Sequence, residues 1–175
     1  MKNILLIGCG HMGGSLMSGW SNSKNYTISV IDKKKYSILK KRNRNKKIKF
    51  FKSIDDINNQ NNLDYIIFAT RPLELTNVFK ELKNVNFNKK SIAISVIAGK
   101  KTEIFKNNLL NINKIVRVMP NMPALIGEGV HCIYTNKSIN KKEIKEIDKL
   151  FSLSGKTLFF NSETFIDKAT AVSGS

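Results

Sequence analysis

Proline and cysteine are scarce in this 175-residue sequence, with three and two residues respectively. Cys9 and Cys132 do not form a Cys-x-x-Cys pair, which fits the reduced cytoplasm, and we expect both to be small, mostly buried residues. No apolar run approaches the roughly 18 residues that a membrane-spanning helix needs, so we expect no membrane partner. The apolar run near the N-terminus is short and lacks a cleavage-type site, so we expect no signal peptide.

Acidic residues are also few: 13 Asp and Glu stand against 30 Lys and Arg, for a formal net charge of +17. The basic residues are scattered along the whole chain, and only Arg42, Arg44, Arg71 and Arg117 are arginines. Reading base edges draws heavily on arginine, so we expect no nucleic-acid partner. Abundant Lys, Asn and Ile together are typical of A/T-rich coding bias on solvated faces. The charge should still concentrate anionic cofactors and acids near the protein.

The chain does have 41% hydrophobic residues, enough for one good core, and a glycine-rich turn near its start. An apolar run, Ile4–Ile7, predicts a buried strand that leads into Gly8-Cys9-Gly10-His11-Met12-Gly13. In a dinucleotide site with this spacing, Gly8 permits the tight turn and Gly10 lets the backbone approach a pyrophosphate. Gly13 allows the following helix to pack closely on the strand. The pyrophosphate would lie at the helix N-terminus, where N–H groups and the helix dipole favour negative charge.

A glycine turn alone is weak evidence, but this one has the expected context. A helical pattern follows it, and then a second predicted strand, Tyr26–Ile31, ends in Asp32, nineteen positions past Gly13. An acidic side chain about 20 residues after the turn is the usual partner of the ribose 2′-hydroxyl. These features predict a nicotinamide-dinucleotide domain. The alternative is an α/β domain with a glycine turn and no cofactor.

Strands and helical stretches alternate along the rest of the chain, which predicts an α/β fold of the Rossmann type, a doubly wound, mostly parallel sheet with helices on both faces. Further strands are predicted at 48–51, 63–70, 91–97, 115–119, 131–134 and 156–160, and helices at 33–41, 73–82, from 102, at 140–153 and from 162 or 164 through 171. Pro72 is expected in the first turn of one helix and Thr102 as the N-cap of the next. Ligands bind such sheets at the carboxyl ends of the strands, where small or polar residues cluster in this sequence.

Five blocks of the sequence carry a further signal. The most specific is the thirteen-residue segment Arg117-Val-Met-Pro-Asn-Met-Pro-Ala-Leu-Ile-Gly-Glu-Gly129. The other four are Ile7-Gly-Cys-Gly-His-Met-Gly13, Ala69-Thr-Arg-Pro72, Ser95-Val-Ile-Ala-Gly99 and Thr170-Ala-Val-Ser-Gly-Ser175. Together these blocks span essentially the whole chain, and they resemble pyrroline-5-carboxylate reductase, the family of the last step of proline biosynthesis.

The resemblance implies an oxidoreductase that transfers hydride from NADH or NADPH to the imine carbon of 1-pyrroline-5-carboxylate, giving L-proline. A cyclic imine is basic enough to be largely protonated, so the electrophile needs no metal and no covalent nucleophile. Catalysis can then depend mainly on holding the nicotinamide against the imine carbon. Accordingly, no residue is expected to act as an acid or base.

The resemblance also implies a set of site residues. Those expected to bind the cofactor are Gly8, Gly10, His11, Met12, Gly13, Asp32, Lys33, Ala69, Thr70, Arg71, Pro72 and Ala98. Those expected to line the pocket for substrate and nicotinamide are Met119, Pro120, Asn121, Ser173, Gly174 and Ser175.

Two of the matching positions leave alternatives open, and a third departs from the family pattern. His11 stands where the family commonly has Asn or Gln, and it either donates to a phosphate or is an exposed turn residue. Arg71 replaces the usual Lys, which keeps the charge but changes the geometry. Arg117 either contacts a ligand or pairs with Glu128 as part of the fold.

The residues after the second predicted strand bear on the choice of cofactor. Family members that prefer NADP tend to carry Ser, Asn or Arg there, whereas this chain has Asp32 followed by three lysines. Asp32 would repel a 2′-phosphate and the lysines would attract it. We expect NAD(H) or NADP(H), with NAD favoured.

The family continues past the position of Ser175 with a helical domain that intertwines two subunits and supplies a Pro-Gly-Gly-Thr loop to the substrate carboxylate. We therefore expect a dinucleotide-binding domain at 1–161 and the start of a truncated helical domain at 162–175, in a family of homodimers or larger oligomers. The alternative to a reductase is a non-catalytic NAD(P)-binding module. A hydroxy-acid dehydrogenase is disfavoured, because no lysine general base follows residue 160 in a matching motif.

Overall fold

The computed structural model describes residues 1–58, 60–121 and 129–173. Its strands are β1 (Lys2–Ile7), β2 (Tyr26–Ile31), β3 (Ile48–Phe51), β4 (Tyr65–Phe68), β5 (Ile92–Ser95), β6 (Lys114–Pro120), β7 (Gly129–Thr135) and β8 (Gly155–Phe160). Its helices are α1 (His11–Ser21), α2 (Tyr36–Arg42), α3 (Leu75–Leu82), α4 (Thr102–Asn108), α5 (Lys141–Phe151) and α6 (Glu163–Ser173), with short 3-10 helices at Ile54–Asp56 and Gln60–Asn62.

All eight of these strands form one sheet in the order β3-β2-β1-β4-β5-β6-β7-β8. Every neighbouring pair is parallel except β6 and β7, which run antiparallel. The order reverses between β1 and β4, which is the topological switch point at which such sheets bind ligands. The predicted Rossmann-type α/β fold with a mostly parallel sheet is confirmed.

Alternating side chains of the strands build a core on each face of the sheet. On β1, Ile4 and Leu6 belong to one cluster and Leu5 and Ile7 to the other, as the period of two in a strand requires. The first cluster lies under α1 and α5, where the Trp20 indole N–H donates to the Leu150 carbonyl at 3.0 Å. The second cluster lies under α3 and α4 and contains three mutually packed aromatic rings, Phe68, Phe79 and Phe105.

Three local predictions differ from the structure. Helix α2 begins at Tyr36, not at Lys33, because the Asp32 carboxylate accepts the Lys35 N–H and holds the intervening lysines in a turn. Pro72 lies in a turn before α3, where the Glu74 N–H donates to the Arg71 carbonyl at 3.0 Å. Thr102 is not an N-cap: it is the first residue of α4, and its N–H and hydroxyl donate to Glu163 of α6.

The carboxyl ends of the parallel strands meet at one edge of the sheet. Ile7 is paired with Ile31 on one side and with Phe68 on the other, and Phe68 is paired in turn with Ser95. The segments that follow these residues contain most of the site residues predicted from the sequence. None of the helices in the described part of the chain combines the length and the apolar character needed to cross a membrane.

Candidate functional site

The turn between β1 and α1 contains the three glycines of the Gly-x-Gly-x-x-Gly motif. Two of them are needed for steric reasons within the fold. Gly8 has a φ of +93°, and a Cβ there would lie 2.8 Å from the Ala69 carbonyl carbon and oxygen. A Cβ on Gly13 would lie 2.3 Å from the Gly8 carbonyl oxygen, so α1 could not approach the strand this closely with any side chain there. Both glycines are therefore required for folding.

Gly10 is different, because nothing in the protein excludes a side chain at this position. Its φ of −72° is available to any residue, and an added Cβ would meet no atom within 4 Å. Gly10 is exposed and is the N-cap of α1, with no side-chain cap on the helix. Ser, Asn or Asp would cap the helix at least as well as glycine. The space over Gly10 is open, which leaves room for the close approach of a pyrophosphate to the helix N-terminus.

The residues beside Gly10 differ in exposure. His11 is exposed at the first position of α1, whereas Met12 is half-buried and packs against the core. Cys9 is buried, as predicted, and burial raises the pKa of its thiol, with the neighbouring Asp32 carboxylate raising it further. Cys9 is therefore a packing residue of the turn and not a reactive thiolate.

Asp32 binds the backbone of the glycine turn directly. One carboxylate oxygen accepts the Cys9 N–H at 2.8 Å and the other accepts the Lys35 N–H at 2.9 Å. The Lys35 ammonium donates to the Cys9 carbonyl at 3.1 Å, which closes a ring of contacts between the ends of β1 and β2. Asp32 thus holds a fixed position at the carboxyl end of β2, where the spacing to the turn predicted it.

A cavity of about 620 Å³ lies beside this turn, between the ends of β1 and β2 and helix α3. Its lining residues are Ile7, Gly8, Ile31, Asp32, Lys33, Lys34, Thr70, Glu74, Asn77, Val78, Lys80 and Glu81. The lining combines apolar side chains with the carboxylates of three acidic residues and the ammonium groups of three lysines. In a chain of net charge +17, this cavity is locally balanced in charge.

Two of these lysines are paired with glutamates, one at the N-cap of helix α3 and one within it. The Lys33 ammonium lies 2.7 Å from a Glu81 carboxylate oxygen, and the Lys34 ammonium lies 2.6 Å from one of Glu74. The hydrogen bond from Lys34 lowers the pKa of Glu74, so this carboxylate stays ionised at neutral pH.

The turn after β4 supplies the opposite wall of the glycine turn. The Ala69 backbone closes against Gly8, and Thr70 is one of the residues that line the cavity. The Thr70 hydroxyl is buried and has no hydrogen-bond partner among the described residues, so a polar donor or acceptor is missing from its surroundings. Arg71 and Pro72 are exposed in the turn that follows.

The remaining predicted site residues lie outside this cavity. Ala98 is exposed in the turn after β5. Met119 and Pro120 end β6, and the Asn121 amide oxygen accepts the Val130 N–H at 2.8 Å, which links the end of β6 to the start of β7. Ser173 is the last residue of α6, while Gly174, Ser175 and Glu128 lie outside the described residues.

Arg117 is a buried residue of β6 whose surroundings the sequence did not reveal. Its side chain is 1% exposed, and its guanidinium lies 2.8 Å from Asp167 and 3.4 Å from Glu163, both on α6. Glu163 also accepts both the N–H and the hydroxyl of Thr102, so one carboxylate joins α4, α6 and β6. The two predicted alternatives for Arg117 were contact with a ligand and pairing with Glu128, and Glu128 lies outside the described residues. The partners observed are on α6.

Sequence reasoning also missed Glu74 and Glu81. They lie seven positions apart, which places both on one face of a helix, and this spacing was the available signal. What the spacing does not give is that α3 packs beside the end of β2, so that both carboxylates reach lysines some forty residues earlier in the chain.

Comparison with known proteins agrees with this geometry. Residues 3–99, more than half of the chain, match the family described as NADP oxidoreductase, coenzyme F420-dependent. The chain belongs to this family. The matched part of this family member runs from β1 to the turn after β5 and so contains the glycine turn, Asp32 and the cavity.

Individual relatives extend the similarity. The chain is 33% identical to pyrroline-5-carboxylate reductase of Haemophilus influenzae over 72% of its length and 48% of the relative's. It is 29% identical to that of Methanosarcina acetivorans over 99% of its length and 64% of the relative's. The crystal structure of pyrroline carboxylate reductase from Plasmodium falciparum with NADP bound aligns with a TM-score of 0.76 at 25% identity, over 99% of this chain and 62% of that one. This family member thus spans about half to two thirds of the length of these relatives.

Proposed function

We propose that this chain is the cofactor-binding part of a reductase that transfers hydride from NAD(P)H to 1-pyrroline-5-carboxylate, giving L-proline. The observation that carries the proposal is the open space over Gly10, between two glycines that the fold itself requires. A small residue that the fold does not need, at the N-terminus of an eleven-residue helix, is what a bound pyrophosphate would select. The relatives named pyrroline-5-carboxylate reductase support the choice of substrate.

The site residues proposed for the cofactor surround this turn. The N–H groups at the start of α1 would bind the pyrophosphate, with His11 exposed beside them. Asp32 and Lys33 would face the adenosine ribose at the cavity, and the Thr70 hydroxyl would find its missing partner on the cofactor. Ala69, Arg71, Pro72 and Ala98 would line the path from the turn toward the nicotinamide, with Met12 supporting the helix from the core side.

The bound nicotinamide would supply a hydride to the carbon of the protonated imine. The proton on the imine nitrogen stays there, so the hydride step itself needs no proton from the protein, and the amine that forms takes its second proton from water. Met119, Pro120 and Asn121 are proposed to shape the pocket for the ring, with Ser173, Gly174 and Ser175 contributing from the end of α6. The residues act by position and by exclusion of water, with no acid or base among them.

Between the two cofactors we propose NAD(H). Asp32 is fixed by two backbone N–H groups, so its negative charge stays where a 2′-phosphate would have to lie. The lysines that would attract such a phosphate are paired with Glu81 and Glu74. In the Plasmodium falciparum relative the bound cofactor is NADP.

For the chain as a whole we propose a dinucleotide-binding domain at 1–161 and the beginning of a helical domain at 162–175. The last strand of the described sheet ends at Phe160, and α6 follows it within the part of the chain that the structure describes. The greater length of the relatives supports a further part. From the family resemblance we propose that this part completes the substrate site and joins subunits into a dimer or larger oligomer. A cytoplasmic location, expected from the cysteine usage, belongs to the same proposal.

Gly10→Ala provides the test. We expect it to weaken NADH binding by about tenfold or more, because the added methyl group would fill the space of the pyrophosphate. Gly14→Ala is the matched control: it lies in the same helix, and its Cβ would make only an ordinary contact, 3.9 Å from the Cys9 sulfur. Fluorescence titration measures binding, and circular dichroism checks that both variants fold.

These binding titrations, together with an assay of NADH oxidation, distinguish the possible outcomes. Equal NADH affinity of the wild type and the Gly10→Ala variant would overturn the placement of the pyrophosphate. Oxidation of NADH that depends on added 1-pyrroline-5-carboxylate would establish the reductase. Binding of NADH without imine turnover would leave a cofactor-binding module.

A further inference from the structure

Glu74, the N-cap residue of α3, and Glu81 within α3 lie where a dinucleotide site would discriminate between its two common cofactors. The cofactors differ only by a phosphate on the adenosine 2′-oxygen, so the groups near the end of β2 decide between them. In this chain that position carries Asp32 and three successive lysines, which act in opposite directions on a phosphate. The contacts of the lysines therefore determine whether a 2′-phosphate is attracted or repelled at this position.

Two of the three lysines that line the cavity are each paired with a carboxylate. Lys33 is paired with Glu81 and Lys34 with Glu74, at 2.7 and 2.6 Å, and all four side chains line the same cavity. The remaining lining charges, Lys80 and Asp32, balance one another in number. The charges of the residues that line the cavity therefore sum to zero where a 2′-phosphate would enter, although the surrounding segment 33–52 contains eleven basic residues and no acidic one.

In each of these ion pairs, a phosphate could also take the place of the glutamate carboxylate at the lysine. The Lys33 and Lys34 side chains are 58% and 79% exposed, so water screens their attraction to the glutamates and little free energy holds each pair together. A phosphate could replace a carboxylate at either lysine, but the displaced carboxylate would remain on α3 beside the phosphate and repel it. The glutamates thus oppose a phosphate both before and after exchange.

We propose that Glu74 and Glu81 determine the nucleotide preference of this site, by occupying Lys33 and Lys34 with internal carboxylates and so disfavouring a cofactor that carries a 2′-phosphate. This inference rests on the proposed dinucleotide site. It assigns the preference to α3 and its N-cap residue, more than forty residues after Asp32, the acidic residue that follows β2 and from which preference is usually inferred.

The test is the Glu74→Gln/Glu81→Gln double variant, which keeps side-chain size and hydrogen bonding while removing two negative charges. Dissociation constants for NADH and NADPH are measured on the full chain, wild type and variant. We expect the ratio of the NADPH to the NADH constant to fall by at least about tenfold, since a carboxylate a few ångströms from a phosphate changes its affinity by about that factor at low salt. The gain should shrink as salt is added.

Two further variants make the result specific. Glu103→Gln removes an exposed carboxylate from α4, outside the cavity, and should leave the ratio as in the wild type. Adding Lys33→Gln and Lys34→Gln to the double variant should cancel the gain in NADPH affinity, because these lysines are the groups that the glutamates occupy.

The outcomes distinguish this inference from the proposed function. An unchanged ratio, or an equal change in both constants, overturns the role of the glutamates while NADH binding by the wild type keeps the dinucleotide site. A wild-type chain that binds neither cofactor overturns both.

Discussion

Two regions of this protein use the same chemistry at opposite degrees of burial. Beside the glycine turn, Lys33 and Lys34 meet Glu81 and Glu74 in pairs that are open to water. On the far side of the sheet's centre, Arg117 meets two carboxylates of α6 with its side chain 1% exposed. Exposed pairs are weak and can exchange a partner for a ligand, whereas a buried charge must keep its partner. The degree of burial thus determines whether an ion pair can influence ligand binding or instead stabilises the packing of a helix.

The largest effect is expected at the buried pair. Arg117→Met fills a similar volume but leaves Glu163 and Asp167 facing each other without a cation. We expect the free energy of unfolding to fall by about 3 kcal/mol, in the range for breaking a buried pair and less than its maximum because Asp167 is 41% exposed. Urea denaturation followed by circular dichroism measures the loss.

Arg117→Lys is the matched control, since it retains the charge without the two-pronged guanidinium, and we expect it to lose less. Hydrogen exchange should increase first in α6 and at the start of α4, because Glu163 also accepts the Thr102 N–H. A methionine variant as stable as the wild type would mean that apolar packing of the Arg117 stem, and not its charge, holds α6.

A smaller effect on the free energy of unfolding is expected from the protonation of His131, a buried histidine whose hydrogen-bond partner is neutral. His131 of β7 is fully buried, with its Nε2 3.0 Å from the Ser154 hydroxyl and its ring packed edge-on against Phe151. Burial lowers the pKa of His131 below its ordinary value of about 6.5. Below that pH the unfolded chain takes up a proton that the folded chain resists, so the free energy of unfolding should decrease as pH falls from about 6.5 and level off below the folded pKa.

The chain contains only one other histidine, exposed His11, which allows a clean comparison. Urea denaturation between pH 4.5 and 7.5 should show a shallower slope for His131→Gln than for the wild type, while His11→Gln should keep the wild-type slope. Parallel slopes for all three proteins would show that other groups account for the acid sensitivity.

The parallel half of the fold could be predicted from the sequence because each of its signals is local. A buried apolar run, a glycine turn and an acidic residue at a fixed spacing gave β1, α1 and β2, and the bounds of β2 and β3 agree with the structure. Gly8 and Gly13 could be assigned because the steric demand of a tight strand-to-helix turn is nearly independent of the rest of the protein.

What could not be predicted depends on contacts between distant segments. Thr102 has the residue type of an N-cap, but the Glu163 carboxylate, sixty-one positions later, takes its N–H and the helix begins at Thr102 itself. Arg117 was expected to contact a ligand or Glu128, because nothing in its own segment indicates that α6 packs over it. The roles proposed for Ser173, Gly174 and Ser175 stay predictions.

The smallest effect on folding is expected at the exposed pairs, although they are expected to affect cofactor preference most. The Glu74→Gln/Glu81→Gln variant should change the free energy of unfolding by no more than about 0.5 kcal/mol, because water already solvates both partners and salt screens their attraction. Denaturation at low and high salt, beside Arg117→Met, would place the two kinds of pair on one scale. A loss comparable to that of Arg117→Met would mean that the glutamates fasten α3 to the end of β2. A pair needed for that purpose could not yield its lysine to a ligand, and the contrast between the two regions would then disappear.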